Sequence, residues 1–360
     1  MKRIEFKPST NPAKKVYIRL YEFRIAMYII SNYTIAVLFC FITMLCWGSW
    51  ANTQKLSGKK WPFQLFYWDY SLGILVITLF LAFTLGSHGD QGRGFLDDFH
   101  QAEPQYIHSA LLGGIIFNLA NLLLVTAIDI AGMAVAFPIG IGLALVLGVI
   151  TNYRDNPQGN ATILFSGVFL VAIAILLDAI AYKNILKKGQ QTPLKGIVIS
   201  LLAGVAMGFF YKYVAQSMSA SFVTPEAGKL TPYTALVVFA AGLMVSNFLF
   251  NTINMYSPIA GTRVSFRDYF SLGSPKLHFI GMLGGIIWGI GMSFSIIASE
   301  QAGPAIAYGL GQGATMVAAF WGVFIWKELK DLPPSKNWLI TLMFVCFLLG
   351  LALIIYSKLA

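Results

Sequence analysis

Ten apolar stretches, each near the length that crosses a lipid bilayer, run from Met27 to Tyr356 and take up most of the chain. They fall at 27–50, 64–86, 108–127, 131–151, 161–182, 195–215, 233–252, 278–298, 303–326 and 337–357. Roughly 20 residues of helix reach across about 30 Å of hydrocarbon. Lipid offers no partner for backbone N–H and C=O groups, so each stretch must bond within itself. The predicted fold is therefore all-α: a polytopic membrane protein of about ten transmembrane helices. A soluble bundle would need polar faces on its outer helices, and with 57% hydrophobic residues and a mean hydropathy of +0.70 this chain lacks them. Pro138, Pro304 and the many glycines are compatible with such spans, because neighbouring helices or a water-filled cavity can satisfy freed backbone groups.

The polar interruptions are short. The longest, 1–26, 87–107, 216–232 and 253–277, cannot bury a core of their own. An enzyme acting on soluble substrates would have to work inside the bundle, and no enzymatic activity, cofactor or metal is expected. Cys40, Cys46 and Cys346 all lie within spans and read as small packing residues. The net charge of +10 is spread along membrane edges, without the basic, stacking surface that nucleic acid requires.

Residues 1–26 carry Lys2, Arg3, Lys7, Lys14, Lys15, Arg19 and Arg24 and lack the apolar core of a secretion signal. Taken alone, this tail predicts a cytoplasmic amino terminus. The loops point the other way. The side sharing the amino terminus holds Arg93, Arg154, Lys212, Lys229 and Lys358. The opposite side holds Lys55, Lys59, Lys60, Lys183, Lys187, Lys188, Lys195, Arg263, Arg267, Lys276, Lys327, Lys330 and Lys336. Both distributions are reconciled if translation starts at Met27, with the tail upstream of the true start.

The chain repeats itself. Leu112-Gly113-Gly114-Ile115-Ile116 recurs as Leu283-Gly284-Gly285-Ile286-Ile287, a shift of 171 residues. At the same shift Ala127, Ala131, Gly132, Ala134, Ala136, Gly140 and Gly142 match Ala298, Ala302, Gly303, Ala305, Ala307, Gly311 and Gly313. A unit of five spans makes the second copy enter the membrane from the opposite face. Such inverted repeats build alternating-access transporters. The predicted halves are 27–190 and 191–360, following the basic tail.

Polar groups within spans mark a pathway. Asn118 and Asn121 share one face of the third span, where an unpaired amide is costly and a ligand-facing one is useful. Gly289 and Met292 occupy the repeat-related positions, so the expected site is asymmetric. Gln312, between Gly311 and Gly313, reads as a solute or gating contact or as an interhelical hydrogen bond. Asn247, Asn251 and Asn254 form a further stripe, either functional or a helix-end hydrogen-bond ladder.

Acidic residues are candidates for ion coupling, since a carboxylate partly removed from water can exchange a proton near physiological pH. Asp69 leads, followed by Glu300 and Asp178. Asp129 is the repeat mate of Glu300, and both are expected in tight turns after the third and eighth spans. Lys212 could bind an anionic group, pair with an acid, or snorkel. The coupling ion is expected to be H+, with Na+ as the alternative. Many aromatics here would anchor spans at interfaces. Trp47 and Trp288, with the amides, also suit a planar or ring-shaped polar solute such as a sugar, ureide or nucleobase-like compound.

Cys46-Trp47-Gly48-Ser49-Trp50, Trp68-Asp69-Tyr70-Ser71, Gly113-Gly114 with Asn121, Asn152-Tyr153 followed by Asn160, and Leu164-Phe165-Ser166-Gly167-Val168 resemble the ureide permease branch of the drug/metabolite transporter superfamily. That superfamily also holds bacterial glucose, ribose and rhamnose uptake proteins. The resemblance spans most of 27–182, is weaker in 195–357, and includes the start at Met27-Tyr28. It implies ten helices in two inverted five-helix repeats and secondary active uptake of a small polar solute coupled to a cation, commonly a proton. The implied setting is the bacterial inner membrane, among lipids, as a monomer or homodimer. The long hydrophilic centre of the plant permeases is reduced here to about Lys183–Pro193, and the residues after Gly208 depart from the branch's sixth helix. No Walker A sequence is present to couple transport to ATP. The alternatives are a multidrug or metabolite exporter of the same superfamily, and a non-transport scaffold or lipid-handling protein.

Overall fold

The computed structural model describes residues 26–58, 61–185 and 193–360. The basic tail before residue 26, Lys59, Lys60, Lys187, Lys188 and the expected boundary between halves at 190/191 lie outside the described residues.

Fourteen α-helices are described: α1 Tyr33–Ser49, α2 Ala51–Ser57, α3 Phe63–Phe83, α4 Phe95–Gln101, α5 Pro104–Ala131, α6 Met133–Asp155, α7 Ala161–Ile185, α8 Leu194–Ser217, α9 Pro232–Tyr256, α10 Phe266–Leu272, α11 Pro275–Ala302, α12 Pro304–Gly311, α13 Ala314–Phe320 and α14 Trp338–Tyr356. They supply ten segments long and apolar enough to cross a membrane, with α1 and α2 forming one and α12 and α13 another. The protein is an all-α, integral, multi-pass membrane protein.

Local chemistry sets the ends. Asn32 caps α1 by accepting from the Ile35 N–H at 3.0 Å, and Ser274 caps α11 by accepting from Leu277. Proline, which needs no intrahelical N–H partner at a first position, opens α5, α9, α11 and α12. Gly132 and Gly303 end α5 and α11 at φ +79° and +86°, a conformation that strains any residue with a Cβ.

Three expectations are corrected. The first span starts at Tyr33 rather than 27, because Met27 and Tyr28 are extended and bond to Gln91 and Leu85, and it continues past Trp50 to Ser57. The ninth is broken at Gln312-Gly313 and ends in a π turn, Trp321–Ile325. Asp129 and Glu300 sit in the last helical turns of α5 and α11, not in the turns beyond, because both helices run on to their glycine caps.

The 171-residue shift carries α4 onto α10, α5 onto α11 and the start of α6 onto the start of α12, residue for residue. Packing follows the same exchange: α5 lies against α8 and α9, and α11 against α1 and α3. The repeated glycine pairs explain why. A Cβ on Gly114 would overlap the Phe239 carbonyl of α9, and one on Gly285 would overlap the Tyr70 carbonyl of α3. Their neighbours Gly113 and Gly284 make the close approach to Val214 of α8 and Thr53 of α2. Small residues bring backbones together where lipid supplies no hydrophobic force to hold them.

Candidate functional site

A cavity of about 500 Å³ lies between α1, α2, α5, α6, α7, α8, α11 and α13. Its floor is aromatic and uncharged. Trp47 of α1 and Trp288 of α11 lie nearly parallel, with ring centroids 5.7 Å apart and planes 12° from coplanar. Phe117 of α5 meets Trp288 at 4.3 Å, and Phe210 of α8 closes the same wall. The Trp47 Nε1 is buried without a partner among the described residues, a donor the floor leaves unused.

Two amides face this ring system. Asn121 donates from Nδ2 to the Tyr67 hydroxyl at 3.3 Å, which fixes its orientation and leaves Oδ1 without a partner among the described residues. Gln312 sits at the break between α12 and α13, where its backbone carbonyl accepts from the Thr315 hydroxyl at 2.9 Å. Its side-chain amide has no bond among the described residues, so the interruption of the ninth span presents a polar group at the cavity wall. A flat apolar surface flanked by neutral donors and acceptors suits a ring-bearing polar molecule without formal charge.

Charge gathers at the mouth. Lys55 and Trp326, both exposed, stand where the cavity meets solvent, and the Lys55 ammonium lies 4.5 Å over the Trp326 ring. Glu328 accepts from Lys55 Nζ and from the Tyr182 hydroxyl of α7, tying α2 and α7 to the segment after α13. Burial raises the Glu328 carboxyl, but these two donors and the lysine charge outweigh it and hold the group below the ordinary glutamate range. Asp178 and Asp129 line the same region, and Asp178 Oδ1 is buried without a partner among the described residues.

The opposite end is closed. Asp98 of α4 is fully buried; it accepts from Arg93 Nε at 2.7 Å, from the Thr231 N–H at 2.7 Å and from the Thr231 hydroxyl at 3.0 Å. Arg93 and Gln101 also donate to the Lys229 carbonyl, and Gln101 accepts from the Gly228 N–H. The linker from α3 to α5 is thereby pinned to the linker from α8 to α9.

Of the residues singled out in the sequence, Trp47, Asn121, Trp288, Gln312 and Asp178 line the cavity. Asn118 lies away from it, donating to the Ser246 hydroxyl at 2.8 Å. Lys212 pairs with Asp155 at 3.2 Å near the closed end, and Glu300 accepts from the Phe222 N–H at 2.7 Å on that same side. Asp69 is buried outside the cavity, in contact with Tyr269 and His278. Sequence reasoning missed Phe117, Phe210, Lys55, Tyr182, Trp326, Glu328 and His278. Phe117 was recoverable, since it is the repeat mate of Trp288 and lies one helical turn from Asn121. The mouth residues gave no such signal, because their meeting depends on three segments far apart in sequence.

The ureide permease family model matches residues 66–191 and 176–357, and the chain belongs to that family. Ureide permease 1 of Arabidopsis thaliana is 24% identical over 92% of this chain and 99% of its own length. Ureide permease 5 of the same plant is 22% identical over 92% and 96%. The glucose uptake protein GlcU of Bacillus subtilis (strain 168) is 23% identical over 61% of this chain and 69% of its own. A solved crystal structure, 12% identical with a TM-score of 0.58, covers 90% of this chain and 98% of that one, a likeness of fold. The protein is a secondary transporter of a small polar metabolite and not an enzyme.

Proposed function

We propose that the solute is a neutral, ring-shaped polar metabolite, a ureide, nucleobase-like compound or sugar, taken up with a proton through the cavity floored by Trp47, Trp288, Asn121 and Gln312. The observation that carries this reading is that floor: parallel indoles beside two under-bonded amides, with every formal charge kept at the mouth. The coincidence of elements at the 171-residue shift supports two inverted halves, 27–190 and 191–360, moving against each other around the site. The mouth lies on the side of Arg263, Arg267, Lys276, Lys327, Lys330 and Lys336, which by the positive-inside rule is cytoplasmic. The conformation is then the inward-facing one, in a bacterial inner membrane, as a monomer or homodimer.

Among the acidic candidates Asp69 leads at the coupling site, because it is a buried carboxylate paired with a histidine, followed by Asp178 at the mouth and Glu300 at the closed end. Protein in proteoliposomes should accumulate one compound from a panel of sugars, ureides and nucleobases when a proton gradient is imposed. Accumulation with a sodium gradient alone would replace the ion. An aromatic cavity with Asp178 and Glu328 at its rim also suits hydrophobic cations, and their efflux, without accumulation of any metabolite in the panel, would establish the exporter alternative.

A further inference from the structure

The two interfacial helices α4 and α10 are repeat mates, and each fastens a helix of the other half. On α4, Asp98 holds the start of α9 through Thr231. The position 171 residues later is Tyr269 on α10, and its hydroxyl donates to Asp69 Oδ1 of α3 at 2.5 Å. Equivalent positions therefore carry a latch at each end of the bundle, one at the closed end and one on the side of the mouth.

The latches differ in what completes them. Asp98 is paired with Arg93, a guanidinium that keeps its proton at every pH the protein meets. Asp69 is paired with His278, whose Nδ1 lies 3.0 Å from both carboxylate oxygens. Histidine is the side chain whose charge changes between about pH 5 and 8. The Asp69 side chain is 3% exposed and the imidazole 30%, so the histidine is the accessible member of the pair. Trp61 meets the imidazole edge-on, with centroids 5.1 Å apart, and Gly273 leaves room for the ring. Asp69, His278 and Tyr269 are the titratable groups in contact here; Arg267 and Lys276 are exposed, and Asp268 is engaged by Ser265. Burial first, then the bond to Asp69 and its charge, push the Tyr269 phenol above its usual range, so it remains a donor.

We propose that Asp69, His278 and Tyr269 form a proton-operated latch, His278 taking the coupling proton from water and returning it there, while the Arg93–Asp98 latch stays permanently charged. The inference rests on the transport reading above. With His278 protonated, its Nδ1–H and charge hold Asp69 and so clamp α3 against α11. With the proton gone, the hold weakens. The route to the solute is short: Asp69 packs against Gly281 of α11, and the next residue, Tyr70, lies against Gly285 and faces Trp50 at 4.8 Å and Trp288 at 6.5 Å. Sliding of α3 along α11 therefore moves the aromatic floor.

The test compares wild type and His278→Gln in proteoliposomes, reading counterflow at equal pH and accumulation under an imposed gradient. One proton per solute allows up to about tenfold accumulation for each unit of pH difference. The wild type should approach that ratio, while His278→Gln should fall to a ratio of about one, with counterflow retained and its variation between about pH 5.5 and 8 flattened. Wild-type accumulation and an unchanged pH profile in His278→Gln would overturn the latch and leave the transport reading standing. Loss of counterflow in every compound for the wild type would sink both. Should His278→Gln fail to fold, Tyr269→Phe keeps the histidine pair but removes a donor to the charged carboxylate; the profile should move to higher pH, and an unmoved profile overturns the proposal.

Discussion

Phe117 and Trp288, 171 positions apart in the chain, meet in the cavity floor with their ring centroids 4.3 Å apart and their planes tilted by 32°. Two residues in equivalent places of α5 and α11 thus converge on one point, and Trp47 extends the surface on the side of Trp288. Stacking on this surface should supply much of the binding energy of a ring-bearing solute. Truncating one indole removes buried contact and ring interaction together, about 1–3 kcal/mol. Trp288→Ala should therefore weaken solute binding by about 5- to 150-fold, and Trp288→Phe by much less. Binding measured calorimetrically in detergent checks this, and an unchanged affinity in Trp288→Ala would remove the ring from the solute site.

The two asparagines of α5 should separate cleanly. Asn121 lines the cavity, whereas Asn118 lies outside it and donates from Nδ2 to Ser246. Losing one solute hydrogen bond costs about 0.5–1.5 kcal/mol, so Asn121→Ala should weaken binding by roughly 2- to 12-fold, and by stranding the buried Tyr67 hydroxyl it should also lower the melting temperature. Asn118→Ala should leave affinity unchanged and lower the melting temperature modestly, since it removes one buried bond away from the cavity while the Ser246 hydroxyl keeps its own to the Leu243 carbonyl at 3.0 Å. Affinity and melting temperature measured on both variants decide the matter: the same affinity loss in both would mean that Asn118 also reaches the solute.

Span number, the repeat and half of the polar site were legible because each is written in local sequence. Apolar length betrays a span, and a glycine pair recurring at a fixed shift betrays equivalent packing. Side-chain direction was the part that local sequence withheld. Asn118 and Asn121 share a helical face broad enough for one to meet α9 and the other the cavity, and only the neighbours decide which. Lys212 stayed open between an anionic solute, an acidic partner and snorkelling because Asp155, its partner, lies 57 residues earlier. The Asp69 cluster draws on α3, α10 and α11, so its histidine stood at a span entrance with nothing nearby in sequence to mark it.

Gly285 is a strict test of the packing that the repeat encodes. A Cβ there would run into the Tyr70 backbone carbonyl, which cannot swing aside as a side chain can. Gly142 belongs to the same repeat, yet the nearest atom to its Cβ position is 4.0 Å away on Ile175. Gly285→Ala should cost more than about 2 kcal/mol, as overpacking between rigid backbones does. Gly142→Ala should be neutral or slightly stabilising, through its better helix propensity. Folded yield by fluorescence-detected size exclusion distinguishes them, and equal yields would mean that α3 and α11 are free to separate at this contact.

Glu328 gives a pH dependence whose sign is fixed by its partners. Its carboxyl is held below its ordinary value of 4.5 by Lys55 and Tyr182. A group with a depressed folded pKa contributes stability that is fully present above its unfolded pKa and is lost as pH falls through the folded one. The bridge from α2 and α7 to the segment after α13 should therefore be constant from about pH 8 to 5 and fade only in stronger acid. Comparing thermal unfolding of the wild type with Glu328→Gln isolates this contribution, because glutamine keeps the size but not the titration. The difference between the two should stay level through neutral pH and close below about pH 4. A gap that already closes between about pH 7 and 5 would show a carboxyl raised rather than lowered, with burial prevailing over the lysine at the mouth.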